Sequence, residues 1–304
     1  MQRVDGVVDK DNRDIVDNNS AQKLTQVEIE ALKRSGMKGG DLIKHIVENS
    51  ESWNKRTKFS QEKYLKKKMQ KYAVTFEIKK PTALELCEAY TQTQPQRILS
   101  LRADTLGLMM QMANINQESR VLLIDKTRGL LAGALIEKNV KEILHVELGG
   151  GGQQIKMQTD ILMEYNFHPY QQKRLSHTHI SNIQKTFPGP TVPADQRDPF
   201  LTKLAPAQKH YYNSVIFLHD EFHPIEIIDA VFDLIQPSAP IVVFHTHLHI
   251  LSQLRDHLTI SKMTIMTKLE ELWTREQQVL PMRTHPHMSM HGASGFLFSG
   301  IKVL

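Results

Sequence analysis

The turn after a short apolar run, VLLID at 121–125, is the first place where the sequence could carry chemistry. In parallel α/β sheets a nucleoside cofactor lies against the first strand and a glycine-rich turn, where the backbone must approach the ligand closely. A methyl-donor turn of the acidic-x-G-x-G-x-G type would follow Asp125 with glycines at 127, 129 and 131. The chain has Thr127, Gly129 and Leu131 instead. We therefore predict a degenerate pocket that binds no cofactor.

Two further acidic residues stand at the ends of predicted strands. Glu147 comes near the end of EILHVEL and is placed to accept hydrogen bonds from ribose hydroxyls, although one acidic residue is weak evidence for a cofactor. Asp220 ends SVIFLHD, at a carboxyl strand end where the catalytic groups of such sheets gather. For Asp220 we favour the ordinary interpretation, an acid that flanks the start of the next helix.

Two groups of histidines have the side-chain type that binds zinc or copper. One alternates along a predicted strand and the other is looser: His245, His247 and His249, then His285, His287 and His291. Neither group has a carboxylate or cysteine spaced to complete a site, and the first runs into a predicted helix. We predict no metal site.

The clearest functional signal is a local excess of positive charge. The chain of 304 residues has 38 Lys and Arg against 33 Asp and Glu, a net charge of +5. The segment from Glu51 to Lys80 alone holds ten basic and three acidic residues, a net charge of +7. Such a local surplus is typical of a contact with nucleic acid or with an acidic partner.

Most of this charge falls on a predicted helix that begins with Ser60 as its N-cap and ends near Tyr72. Its lysines recur at spacings of three and four and so follow one helical face. Aromatic residues at 53, 59, 64 and 72 are interleaved, and cationic and aromatic groups together suit RNA. The ordinary alternative is a solvated lysine face. The predicted RNA-binding residues are Lys55, Arg56, Lys58, Lys63, Tyr64, Lys66, Lys67, Lys68 and Lys71, with Arg102 as an additional candidate.

The elements that would position these residues follow from the hydrophobic pattern. Residues 1 to about 20 are polar and predict a poorly ordered lead-in, after which Thr25 and Glu28 predict a capping box at a first helix. Beyond residue 72, AVTFEIK alternates like a strand, and short apolar runs then alternate with helical segments. This pattern predicts βαβ units on a mostly parallel sheet. We expect a basic helical segment at 1–72 and a doubly wound α/β domain at 73–304.

Composition excludes several other classes of protein. The single cysteine, Cys87, cannot form an intrachain disulfide or a cysteine-based zinc site. No apolar run approaches the roughly 18 residues that span a bilayer, and the first residues lack the apolar stretch of a signal peptide. We expect a soluble protein without a membrane partner. The last two predicted strands, KMTIM and SGFLFSGIKVL, are expected at an open edge of the sheet, where they would need a partner's cover.

Several stretches resemble one family, the non-catalytic subunit of the eukaryotic tRNA (adenine-N1)-methyltransferase that modifies adenine 58 in the T-loop. The most specific of these is IVENSESWNKRTKFSQEKYLKKKMQKY at 46–72. DNRDIVDNNSAQKLTQVEIEALK at 11–33, RADTLGLMM at 102–110 and WTREQQVLPMRTHPHMSMHGASGFLFSGIKVL at 273–304 fit the same pattern. The resemblance covers most of the chain except about 150–212.

The resemblance implies a Rossmann-like class I methyltransferase fold without a working cofactor loop. A paralogous partner subunit would bind S-adenosylmethionine and supply the catalytic aspartate, in a nuclear heterotetramer of two plus two subunits that binds tRNA. Asp220 falls near the position of that aspartate, but FLHDEFHP lacks the partner's D-L-P pattern, so no catalytic residue is carried over. Family members usually have an N-terminal β-barrel before the DNRDIVD-type segment. This chain begins almost at that segment, so we expect it to lack most of the barrel.

Two other functions stay open from the residues alone. The chain could itself methylate RNA with S-adenosylmethionine bound between Asp125 and Glu147, which calorimetry with that cofactor would reveal. It could also be a binding module whose lysine face contacts an acidic protein, which competition with bulk tRNA would separate from RNA binding.

Overall fold

A computed structural model describes residues 22–73, 76–148, 159–186, 210–279, 284–288, 290 and 292–303. The chain divides into two compact units, Met1–Ile78 and Lys79–Leu304. The predicted boundary, between residues 72 and 73, lies at the end of the last helix of the first unit, before the boundary between the two compact units at Ile78. The lead-in predicted for residues 1 to about 20 lies outside the described residues.

The first unit is helical in its described part. Its helices are α1 (Gln26–Arg34), α2 (Gly39–Glu48) and α3 (Lys58–Tyr72). The predicted capping box is confirmed, because the Thr25 hydroxyl accepts from the Glu28 N–H at 3.3 Å and the Glu28 carboxylate accepts from the Thr25 N–H at 2.8 Å. The predicted N-cap at Ser60 is wrong. Thr57 caps α3 instead, and its hydroxyl accepts from the Ser60 N–H at 3.2 Å.

A small apolar core holds these three helices together. Its buried members are Ile29 from α1, Leu42, Ile43 and Ile46 from α2, and Tyr72 from α3. Tyr64 and Leu65 pack against this core from the same helix as Tyr72. One side of α3 therefore packs against this core, and its charged side is left to contact solvent or a ligand.

The second unit is built on a seven-stranded sheet in the order β3-β2-β1-β4-β5-β9-β6. The first five strands pair in parallel, and β9 runs antiparallel between β5 and β6. The strands are β1 (Arg120–Asp125), β2 (Glu142–Glu147), β3 (Leu175–His179), β4 (Ser214–Leu218), β5 (Pro240–His245), β6 (Thr264–Trp273) and β9 (Ala293–Lys302). A separate short ribbon is formed by β7 (Gln277–Gln278) and β8 (His285–Pro286).

Helices cover both faces of this sheet, as the alternating pattern predicts. One apolar layer joins the strands to the helices from α4 to α7, and the other joins them to α9, α10 and α11. The helices are α4 (Ala83–Thr93), α5 (Ala103–Met112), α6 (Leu130–Glu137), α7 (Asp160–Glu164), α8 (Pro169–Gln172), α9 (Ile180–Thr186), α10 (Pro224–Val231) and α11 (Leu248–Ile260). The prediction of a doubly wound, mostly parallel α/β domain is confirmed. Within the described residues, no helix is both long and apolar enough to cross a membrane.

Three details differ from the sequence-based expectations. The described part of AVTFEIK forms no strand, and Phe76 and Ile78 are 87% and 90% exposed. The polar strand β3 was not predicted. The apolar C-terminal strand β9 is not at the edge of the sheet, because it lies between β5 and β6, and β6 is the edge strand.

Candidate functional site

The loop after β1, predicted to be a degenerate cofactor turn, is closed by its own side chains. The Asp125 carboxylate accepts hydrogen bonds from the backbone N–H and the hydroxyl of Thr127, both at 2.6 Å. The Thr127 hydroxyl in turn accepts from the Leu131 N–H at 3.2 Å. Thr127 and Leu131 are fully buried. Two positions where a cofactor turn would need glycine therefore carry side chains that belong to the protein interior.

The two glycines that remain in this loop also have packing partners. Gly129 is the N-cap of α6 with φ +92°, and a β-carbon there would lie 2.6 Å from Leu162 Cβ. Gly133 faces the Tyr165 ring, which a β-carbon would meet at 2.2 Å. Tyr165 donates its phenolic hydrogen to the Leu130 carbonyl at 2.9 Å. The absence of a side chain at both glycines thus allows the segment that includes α7 to pack closely against this loop.

This packing predicts a stability effect for Gly133→Ala. We expect the free energy of unfolding of the variant to be about 1–3 kcal/mol lower than that of wild type, because the added methyl must displace the buried Tyr165 ring. Urea unfolding of the full chain measures this. Gly107→Ala is the matched control, since Gly107 lies within α5 with nothing in the space of a β-carbon, and alanine there should stabilise by up to about 1 kcal/mol. An equal decrease in the free energy of unfolding in both variants would contradict the packing role of Gly133.

Asp220, the acid at the end of β4, is held by a lysine from the cofactor turn. Lys126 Nζ lies 2.6 Å from Asp220 Oδ1 and 2.6 Å from Glu221 Oε1. Burial opposes ionisation of Asp220, but the hydrogen bond and charge of Lys126 outweigh it and hold the pKa of Asp220 below its usual value. The Asp220 carboxylate is therefore ionised and occupied by an ion pair. The absence of a catalytic role for Asp220 stays a prediction.

Glu147 lies at the end of β2 beside two histidines that the sequence did not single out. His145 is two residues earlier on the same strand, and His177 stands opposite His145 in the register of β3. His177 Nδ1 is 3.8 Å from Glu147 Oε1. Burial lowers the pKa of His145, and burial together with the neighbouring His145 lowers the pKa of His177. The only signal in the sequence was the alternation His-x-Glu, with its partner His177 about thirty residues away.

The two histidine groups considered from sequence are arranged differently. His245, His247 and His249 place successive ring centroids 5.5 and 5.7 Å apart, where β5 passes into α11. His285 bonds to Gln278 across the ribbon of β7 and β8, and His291 lies outside the described residues. Within the described part of the chain, neither group brings three possible ligands within 4.8 Å of one another, whereas His145, Glu147 and His177 do.

The predicted RNA-binding lysines lie on the first unit, mostly in solvent. The exposed members are Lys55, Lys58, Lys63, Lys66, Lys67 and Lys71. Arg56 and Lys68 are half-buried, because their charged ends lie over the Tyr64 ring, 5.1 and 5.2 Å from its centroid. Trp53 also contacts Tyr64, with ring centroids 5.8 Å apart. Tyr64 thus has a structural role within this surface, and its predicted stacking on an RNA base stays a prediction.

Arg102, the additional candidate, lies in the second unit and is engaged internally. Its guanidinium pairs with both carboxylate oxygens of Asp104, at 3.0 and 2.5 Å, and donates to the Gly292 carbonyl. Its side chain is 12% exposed. These contacts join the start of α5 to the segment before β9, and an RNA contact by Arg102 stays a prediction.

The turn after β1 is filled by protein side chains, and the basic residues lie in a separate unit. The family model described as the Gcd10p family matches residues 2–280. The chain belongs to the Gcd10p family. The family match covers the basic helices as well as most of the α/β unit.

Two relatives of this Gcd10p family chain are curated under the same description, the tRNA (adenine(58)-N(1))-methyltransferase non-catalytic subunit. The protein from Dictyostelium discoideum is 31% identical over 97% of this chain and 64% of its own length. The protein from Mus musculus is 25% identical over 97% of this chain and 74% of its own length. The chain thus spans slightly less than two thirds of the Dictyostelium relative.

Among solved structures, the fold is similar to that of the tRNA (m1A58) methyltransferase TrmI from Aquifex aeolicus. The TM-score is 0.50 at 16% identity, over 77% of this chain and 85% of that one. At this identity the likeness establishes the fold alone, a Rossmann-like methyltransferase fold.

Proposed function

We propose that this chain is the non-catalytic, tRNA-binding subunit of a tRNA N1-methyladenine methyltransferase acting at position 58. The observation that carries the proposal is the closed turn after β1, in which Thr127 and Leu131 are buried where a methyl-donor turn needs glycine. Curated relatives that match almost the whole chain are named as the non-catalytic subunit of such an enzyme. In this proposal S-adenosylmethionine binds to a partner subunit and this chain binds no cofactor.

The electrostatics of the strand ends support that division of labour. S-adenosylmethionine carries a positive sulfonium, and the end of β1 presents the Lys126 ammonium, paired with Asp220 and Glu221. Lys126 occupies the carboxylates that could otherwise attract a cationic methyl donor or accept a proton from a nucleobase. Both acids that follow β4 are therefore engaged by Lys126.

The proposed contribution of this chain to tRNA binding rests on the basic surface of the first unit, which we define as Lys55, Lys58, Lys63, Lys66, Lys67 and Lys71. Exposed lysines neutralise phosphates without reading bases. Specificity for the T-loop would then come from the shape of the tRNA and from the active site of the partner.

The proposed contact with the catalytic partner involves the edge strand β6. It exposes apolar side chains that an isolated sheet edge would not favour, with Met266 71% and Trp273 65% exposed. Among the strands that the structure describes, β6 has a neighbour on one side only, which is β9, and near Met266 its φ is +52° and the register shifts. We further propose, from the resemblance to the family, an assembly of two copies of each subunit in the nucleus.

The test is methyl transfer to unmodified tRNA by this chain, by its catalytic partner and by the two together. We expect m1A58 formation with the mixture, little with the partner alone, and none with this chain alone. Activity of this chain alone would show that the turn after β1 accepts a methyl donor despite Thr127 and Leu131, and would favour the alternative of an active methyltransferase. Calorimetry with S-adenosylmethionine on the isolated chain gives an independent measurement, and we expect no binding heat.

A further inference from the structure

Three possible metal ligands meet at the carboxyl ends of β2 and β3. One ring nitrogen from each of His145 and His177 and one carboxylate oxygen of Glu147 all lie within 4.8 Å of one another. The two rings have centroids 5.5 Å apart. His145 and Glu147 are two residues apart on β2, and His177 pairs with His145 across the parallel register, so all three side chains are on one face of the sheet. Two hydrogen-bonded strands fix this spacing.

The hydrogen bonding of His145 leaves one nitrogen ready to act as a ligand. Its Nε2 lies 3.2 Å from the Asp125 carbonyl oxygen, which can only accept, so Nε2 carries the hydrogen and donates it. The lone pair is then on Nδ1, which is buried and has no hydrogen-bond partner among the described residues. A backbone carbonyl that fixes the far nitrogen of the ring is the usual outer support of a metal-binding histidine.

A simple ion pair does not account for this arrangement. The contact between His177 and Glu147 would satisfy those two side chains, but it supplies no donor to His145 Nδ1. A cation can accept the lone pair of His145 Nδ1 together with those of His177 and Glu147, whereas a hydrogen-bond donor can satisfy only one or two of them.

We propose that His145, Glu147 and His177 bind one divalent transition-metal ion of the zinc class. Two imidazole nitrogens and one carboxylate oxygen are a donor set that Zn²⁺ accepts, with a fourth position left for water or another group. Metal–ligand distances of about 2 Å require the three donor atoms to move somewhat closer together than they lie without the ion. The His177 side chain is 38% exposed and can rotate to allow this, whereas the Glu147 side chain is 16% exposed. The inference is independent of the proposed tRNA function.

Such an ion would join the edge strand β3 to the interior strand β2. The two strands are already paired along their length, but β3 is polar, and its edge has no neighbour on the far side within the described sheet. The ion would also occupy Glu147, the residue placed to accept from a cofactor ribose. The site would therefore strengthen one end of the sheet and close the degenerate pocket at the same time.

The experiment uses the full chain, first stripped of metal with a chelator and then titrated with Zn²⁺ in competition with a chromogenic chelator. We expect one Zn²⁺ per chain, and at least tenfold weaker binding in Glu147→Gln and in His177→Ala. His249→Ala is the matched control, because His249 belongs to the exposed histidine group at the start of α11 and should leave the affinity unchanged.

Thermal unfolding separates loss of a ligand from loss of the fold. Zn²⁺ should raise the unfolding temperature of wild type and of His249→Ala but not that of Glu147→Gln, whose metal-free unfolding temperature should stay close to that of wild type. Absence of one-to-one binding in wild type would overturn the proposal. Binding that survives in both ligand variants, or that is lost in His249→Ala, would also overturn it by placing the zinc elsewhere.

Discussion

Reversing the charge of Lys63, Lys66 and Lys67 to glutamate is expected to weaken tRNA binding by the assembled complex at least tenfold. All three lysines are exposed on α3. Lys68 is left unchanged because its ammonium lies over the Tyr64 and Tyr72 rings and its reversal would disturb the helical core. Each phosphate contact that is lost should lower the slope of log affinity against log salt by about one. A salt titration by filter binding measures both effects.

The matched control is the triple reversal of Lys138, Lys173 and Lys262, which are exposed lysines of the α/β unit. It changes the net charge by the same amount. The affinity of a complex with this control variant for tRNA should fall much less than that of a complex with the α3 variant. An unchanged salt slope in the α3 variant, or an equal loss in the control, would contradict phosphate binding by this helix. Competition with bulk tRNA would then test whether an acidic protein is the partner of the lysine face.

Asp125→Asn is expected to remove a pH-dependent cost to stability. Burial raises the pKa of Asp125 to about 6, although hydrogen bonds from Thr127 pull it down. Because the unfolded chain releases this proton at lower pH, the folded state binds more protons between about pH 4 and 6, and stability falls as pH rises through that range. A pKa that is about 2 higher in the folded than in the unfolded state lowers the free energy of unfolding by up to about 3 kcal/mol at high pH. The free energy of unfolding of Asp125→Asn, relative to that of wild type, should therefore be higher at pH 7.5 than at pH 4.

The measurement is urea unfolding of wild type and Asp125→Asn at several pH values, read as the difference between the two. Asp256→Asn, at an exposed position of α11, controls for the loss of one negative charge. A difference that stays constant from pH 4 to 7.5 would show that Asp125 ionises in the folded chain as it does in the unfolded one. The filled turn would then impose no cost on this carboxylate.

The parts of the structure that the sequence predicts well are those decided by neighbouring residues. Thr25 and Glu28 are three residues apart, and their capping box depends on nothing more distant. The missing glycines at Thr127 and Leu131 indicate a filled turn because a side chain of any kind there occupies space. The alternation of buried strands and helices in the α/β unit is similarly clear, since strands covered on both faces are continuously apolar.

The parts that could not be predicted depend on distant contacts. AVTFEIK has the alternation of a strand, but in its described part no neighbour pairs with it. The strand β3 reads LSHTH, which is too polar to signal a strand, and only pairing with β2 orders it. The cluster of His145, Glu147 and His177 arises from the same pairing. Thr57 and Ser60 are both acceptable caps by residue type, and the local path of the chain selects Thr57.

The position of β9 between β5 and β6 has a consequence for biosynthesis. Both neighbours precede β9 in the chain, and β9 is the partner of β6 in the described sheet, so this pairing must wait until β9 has left the ribosome. Insertion of β9 then brings in Lys302, whose buried ammonium donates to the carbonyls of Phe232 and Ile235 at 2.8 Å. A nascent chain stalled before β9 would expose β5 and β6 as two open edges, a state prone to aggregation. Completion of this sheet is therefore a late event that follows translation of its last strand.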